Sequence, residues 1–213
     1  MRTPVCCLAF LLAILGAAAP LSADIIGGSV LRSPPQFMQN SYYGISASLA
    51  DAFPFRAVAG TAWLPETLQV PLYDPLNGQN DNALFSIYSD ASGQPGSPLV
   101  TFAVPHVGNM PAVYSVSPSM VTSPLQGGAT YWFVGTMTSG MAAWNLDEFV
   151  GGGFTRAYSV SGGGWVVQSV GNISAYAILG SPVPEPSSIV LLGIGGVSLL
   201  AYTWRRHAGP GKG

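Results

Sequence analysis

The sequence predicts an all-β fold: one jelly-roll-like β-sandwich domain held between two hydrophobic end segments. Three observations predict it. Charged residues are only 8% of the 213-residue chain, where roughly 25% is usual for a soluble protein. Aromatics reach 11%, beside 27 glycines and 18 prolines, a mixture of strand formers and turn formers foreign to helical proteins. Between the ends, apolar or alternating runs are short, recur about every ten residues, and never settle into a 3.6-residue period.

The chain opens with "MRTPVCCLAFLLAILGAAAPLSAD". Arg2, an apolar core from Val5 to Leu15 and the small residues before Asp24 have the layout of a secretory signal peptide, residues 1–23, with cleavage after Ala23. Cleavage after Ala19 obeys the small-residue rule better but leaves Pro20 at the new terminus. Cys6 and Cys7 stand at the start of the apolar core, whereas a lipid-attachment cysteine follows it. The mature chain then has no cysteine, so in an oxidising compartment its core alone must hold the fold.

The body, residues 24–180, reads as one domain. Its expected strands are Tyr42–Leu49, Phe55–Leu64, Ala83–Tyr88, Leu99–Val104, Ala112–Val116, Thr130–Thr138, Ala142–Leu146, Phe154–Val160, Trp165–Val167 and Ile173–Leu179. The stretches "YDPLNGQNDN" and "SDASGQPGSP" are turns by composition.

At the far end, residues 181–188 read as a linker containing Pro-Glu-Pro, 189–204 as a transmembrane helix and 205–213 as a short basic cytoplasmic tail. As a helix, Ile189–Trp204 reaches roughly 24 Å, against a hydrocarbon core of about 30 Å. Ser187, Ser188 and snorkelling arginines bring it near to spanning. Arg205 and Arg206 set the topology: they stay on the cytoplasmic side and the body is exported. Pro184 and Pro186 remove two backbone donors and hold the segment extended, outside both helix and domain.

Val183-Pro184-Glu185-Pro186, then Ser187-Ser188, an apolar run and Arg205-Arg206, together resemble the PEP-CTERM sorting signal. The resemblance covers Val183 to about His207 and implies sorting, not activity. It implies a Gram-negative host, a transient stay in the inner membrane, and removal of the tail near Pro-Glu-Pro by exosortase, a membrane-embedded transpeptidase-like enzyme. The destination it implies is the cell surface or an exopolysaccharide matrix.

A second resemblance lies in the body. Tyr88, Ser89, Asp90, Gly93, Pro95 and Gly96, then Leu125, Gly128, Tyr131, Trp132 and Trp144, are similar to the choice-of-anchor R domain of exported bacterial proteins. The approach to the first of these strands, "VPLYDPLNGQNDN", is longer than that family's. This resemblance implies no chemistry.

From Asp24 to Val183 the body carries three arginines and no lysine against eight acidic residues, which excludes nucleic-acid binding through a basic patch. With His106 its only histidine and no cysteine, it cannot build a zinc site of the usual composition. No cofactor is expected, with Ca²⁺ the single exception. Asp74, Asn77, Asn80 and Asp81, with Asn82 beside them, supply the oxygens that cation needs. They miss the EF-hand spacing, and the same residue types favour a long β-turn.

His106 has no Gly-x-Ser-x-Gly elbow to serve. Asp147 and Glu148, neighbours on an extended segment, point to opposite faces and make a poor glycosidase pair. The glycine triplets at 151–153 and 162–164 flank a strand and so do not open a helix around phosphate. Trp63, Trp132, Trp144 and Trp165 offer flat faces for sugar rings wherever they are exposed, although a cysteine-free core claims most of them. Tyr131 and Trp132 alternate faces, so at most one of the pair enters the core.

The expected protein is therefore a non-enzymatic exported surface or extracellular-matrix protein, sorted by exosortase and associated with exopolysaccharide or biofilm. The alternative is a glycan-binding module of the cell surface; a secreted carbohydrate-active hydrolase fits less well.

Overall fold

The computed structural model describes residues 23–28, 37–76, 82–147, 153–184 and 186–207, without the side chains of 37–40, 186–192 and 205–207. The expected signal peptide, apart from Ala23, lies outside them. Among the described residues there are thirteen strands and one helix. In chain order the strands are β1 (Asp24–Gly28), β2 (Phe37–Ser46), β3 (Leu49–Arg56), β4 (Trp63–Tyr73), β5 (Ala83–Asp90), β6 (Pro95–Val104) and β7 (Ala112–Val116). They continue with β8 (Pro118–Val121), β9 (Thr130–Met137), β10 (Met141–Asp147), β11 (Phe154–Val160), β12 (Val166–Val170) and β13 (Ala177–Pro182), and the helix α1 spans Pro186–His207.

The expected all-β class is the class observed. Hydrogen bonds run without a gap through one sheet in the order β1-β13-β4-β10-β2-β3-β9-β5-β6-β8, with β7 added to β4 and the β11–β12 pair added to β3. The two separate sheets of the expected jelly-roll-like β-sandwich are replaced by this single curled sheet. Its halves join at the β2–β3 hairpin, where the pairing narrows to Ser46 opposite Leu49. The curl lets distant strands bury their apolar faces in one core: Ile26, Phe53, Leu68, Phe85, Phe102, Phe133, Trp144 and Ile178 all belong to it.

Trp144 is the hub of that core. Its indole meets Phe53, Phe85 and Phe133 edge-on at 5.4, 5.1 and 5.4 Å between ring centroids. Tyr176 stacks on Phe133 at 4.3 Å. Gly135 makes this close approach feasible, since a Cβ there would lie 2.7 Å from Phe85 Cε1 and 2.9 Å from Trp144 Cζ3.

The strands Ala112–Val116 and Phe154–Val160 stand where the sequence placed them. Phe55–Leu64 does not: Phe55 and Arg56 end β3, a connection follows, and β4 starts at Trp63. Pro65 and Pro71 had masked β4 in the sequence. The register between β13 and β4 shifts between Leu179 and Gly180, beside Pro65, so the missing proline donor coincides with an irregularity in the ladder. Ile173–Leu179 also starts too early, because only an isolated bridge from Ser174 to Leu146 precedes β13.

Candidate functional site

The segment singled out by its sequence begins where the body's hydrogen bonding ends. β13 runs to Pro182, opposite Trp63, and the Ser181 hydroxyl reaches Glu66 Oε1 at 2.6 Å. Val183 is then clasped twice: its N–H donates to the Ala62 carbonyl at 2.8 Å, and its carbonyl accepts from the Thr61 hydroxyl at 2.9 Å. Pro184 is exposed; Glu185 lies outside the described residues.

These contacts correct the expected linker 181–188. Ser181 to Val183 belong to the body, and Pro186 to Ser188 belong to α1. Pro186 opens the helix rather than preventing it, because at the first helical position its missing N–H is one the helix leaves unbonded anyway and its φ is already helical. Two residues, Pro184 and Glu185, are all that separates the clasp from α1.

The helix also overruns the expected span at its other end. Arg205 and Arg206 extend α1 rather than starting a tail, and the remainder of that tail, 208–213, lies outside the described residues. Ile194, Val197, Leu199, Leu200, Tyr202 and Trp204 are all exposed, so α1 is not a core helix. Among the described residues, no helix is long and apolar enough to cross a membrane.

Of the oxygen cluster considered for Ca²⁺, only Asp74 is described; Asn77, Asn80 and Asp81 are not. Asp74 is buried, its Oδ1 accepting from the Leu76 N–H at 2.7 Å while Oδ2 has no partner among the described residues. The neighbouring Asn82 spends its Oδ1 on the His106 N–H at 3.0 Å. Among the described residues no three His, Cys, Asp or Glu gather as a metal would need.

Three of the four tryptophans have no face left for a sugar. Trp63, Trp132 and Trp144 are buried, and their indole N–H groups donate to Val58 O, Asp90 Oδ1 and Ala175 O at 3.0, 2.7 and 3.0 Å. Tyr131 and Trp132 do part company: Tyr131 enters the main core, while Trp132 lies on the opposite face with Ala52, Val134 and Ala157. Trp165 is half-buried and leans against that second cluster beside Tyr88.

Asp147 is buried, and Glu148 lies outside the described residues. His106 sits exposed at φ 62°, inside a connection. Gly162 turns the β11–β12 hairpin at φ 72°, as expected of a triplet flanking a strand; of the other triplet only Gly153 is described.

Two arrangements had no sequence signal. On β3, Asp51 is fully buried and its Oδ1 accepts from Arg156 Nε, on β11, at 2.6 Å. Burial raises the Asp51 carboxyl above its usual range, against the pull of the guanidinium. The Arg156 guanidinium in turn lies over the Tyr43 ring at 4.2 Å and near Tyr158 at 5.4 Å, a cation–π contact on two sides.

The second is a depression of about 310 Å³ on the outer face, reaching from the β2–β3 turn to the β11–β12 turn. Ser48, Tyr88, Thr136, Ser159, Gly163 and Trp165 are among its walls. Alternation along β5 and β9 puts Tyr88 and Thr136 on one face, but the closing Trp165 arrives from a separate hairpin.

No curated protein matches the chain. Residues 182–206 match the PEP-CTERM protein-sorting motif, starting at the last residue of β13 and running through α1. The chain thus carries an exosortase sorting signal, which implies an exported protein, held briefly at a membrane, processed by exosortase and then displayed at the cell surface.

Proposed function

We propose that this chain is a non-enzymatic protein of the cell surface or extracellular matrix of a Gram-negative host, associated with exopolysaccharide or biofilm. The observation that carries the reading is the position of the sorting motif, which starts where the clasp on Val183 ends the body. Cleavage just beyond that residue releases a body whose strands all stay paired.

Before the cut, α1 supplies the hold. Its exposed apolar side chains, Ile194, Val197, Leu199, Leu200 and Trp204, favour lipid. A helix short of permanent anchoring suits a hold that lasts only until processing.

The use made of the body's acids supports a structural role. Asp51 pairs with Arg156, Asp90 accepts from Trp132 and from the Gly93 N–H, and Glu66 accepts from Ser181. Each ties a strand or a turn in place. The likeness of Tyr88 to Gly96 to the choice-of-anchor R domain agrees with this reading, since Asp90 and Gly93 are the residues that close the β5–β6 turn.

Replacing Pro184, Glu185 and Pro186 with alanine and fractionating an exosortase-positive host tests the proposal. Full-length protein accumulates in the inner membrane if the reading holds; unchanged release overturns it.

A further inference from the structure

The outer-face depression is built from parts that suit a sugar. Its floor is shallowly filled: Ala50 from β3 and Val134 from β9 are small or medium side chains, where larger ones would close the space. Its rim is fastened. The Ser161 N–H donates to the Ser48 carbonyl at 2.7 Å, joining the β11–β12 turn to the β2–β3 turn. The Ser159 hydroxyl donates to the Gly163 carbonyl at 2.8 Å and fixes the glycine segment that leads to Trp165.

Two aromatic side chains then face the space, Tyr88 and Trp165. Both are half-buried and pack against the Ala52, Trp132, Val134 and Ala157 cluster. The indoles of Trp63, Trp132 and Trp144 and the hydroxyls of Tyr43, Tyr114 and Tyr131 all bond the protein. The Tyr88 hydroxyl and the Trp165 indole N–H have no such partner among the described residues. Burial raises the Tyr88 phenol further above neutrality, so it stays a hydrogen-bond donor.

Among the described residues no charged side chain lines the depression; serine and threonine hydroxyls and glycine backbone complete it. Such a wall recognises a neutral molecule with one apolar face and several hydroxyls. The volume stands at the lower end of the roughly 300–1,000 Å³ typical of ligand pockets, which suits one or two sugar rings rather than a long chain lying across the surface.

We infer that this depression is a binding subsite for a neutral pyranose. The ring stacks its C–H face on Trp165, and its hydroxyls bond Tyr88 and Ser48 and donate to Thr136 Oγ1, whose own proton goes to the Ser46 carbonyl at 3.2 Å. The subsite does not depend on exosortase sorting, because it is formed wholly by the body. Trp63, Trp132 and Trp144 are buried and take no part in it.

The test uses the full-length protein in a zwitterionic detergent without a sugar headgroup, on an array of neutral gluco-, galacto- and manno-oligosaccharides with uronic-acid oligosaccharides as the counter-set. Binding to a neutral member is expected. Trp165→Ala should weaken it about tenfold and Tyr88→Phe less, while Tyr42→Ala, an exposed ring elsewhere, leaves it unchanged. Far-ultraviolet dichroism confirms that each variant stays folded. If Trp165→Ala fails to fold, Ser48→Tyr, which fills the rim from an exposed turn, must abolish binding instead. Retention of acidic glycans alone, no retention at all, or binding indifferent to these substitutions overturns the inference.

Discussion

The Thr61 hydroxyl holds the Val183 carbonyl at 2.9 Å, across 122 residues of sequence and one residue ahead of Pro184. This bond and the Val183 N–H to Ala62 carbonyl bond decide how much of the sorting segment is free. A half-buried hydrogen bond contributes about 1 kcal/mol. Thr61→Val should therefore speed amide exchange at Val183 about fivefold, with the exchange of Phe133 and Trp144 unchanged. Equal exchange at Val183 in both proteins would show that the clasp is not formed in solution.

The Asp51–Arg156 pair should respond asymmetrically to substitution. Arg156→Met leaves a buried carboxylate without its counter-ion and should cost about 3–5 kcal/mol in denaturant unfolding. Asp51→Asn keeps an oxygen for Arg156 Nε and the Ala52 N–H and removes the charge whose burial is unfavourable. That variant should be as stable as the parent at pH 7, or more so. Equal losses from the two substitutions would contradict this account.

The same carboxyl sets a sign for pH dependence. Its folded pKa is raised, so between the unfolded value, about 3.9, and the folded one, the folded protein holds more protons. Stability from this group is greatest below the unfolded value and falls as pH rises through the folded one. The melting temperature of the parent minus that of Asp51→Asn should decline from pH 4 upward and then level. A difference that grows with pH would reverse the assignment.

Gly135 faces Phe85 and Trp144 with no room for a methyl group. Gly135→Ala should destabilise by about 1–3 kcal/mol through overpacking, and Phe85→Leu in the same chain should recover part of the loss. Independent, additive costs would place the clash elsewhere.

Trp204 is the most exposed of the described apolar side chains on α1, at 80%. Phospholipid vesicles should shift tryptophan emission to the blue and protect it from acrylamide, an effect that Trp204→Phe removes. Emission unchanged by vesicles would argue against a membrane hold through α1.

Much of the strand pattern was legible in the sequence. Ala112–Val116 and Phe154–Val160 are short runs rich in strand formers set between proline or glycine, so local chemistry sufficed. β4 was not legible, because Pro65 and Pro71 argue locally against a strand that long-range pairing with β13 and β7 nevertheless sustains. Pro186 was read as a helix excluder, yet its effect depends on position, and at the start of α1 it favours the helix.

The sequence by itself determined the all-β class and the sorting address, since composition, period and the order of Pro-Glu-Pro, apolar run and arginines are local properties. It also determined that Tyr131 and Trp132 face opposite ways, a consequence of the pleat alone. Only the tertiary structure decided that the body runs without slack to Val183, that Trp63, Trp132 and Trp144 are spent in packing, and that Trp165 meets Tyr88 over one depression. Each of these depends on which distant strands pair and where hairpins fold back. Local propensity is silent on such choices, because the free energy that makes them comes from burying surfaces far apart in the chain.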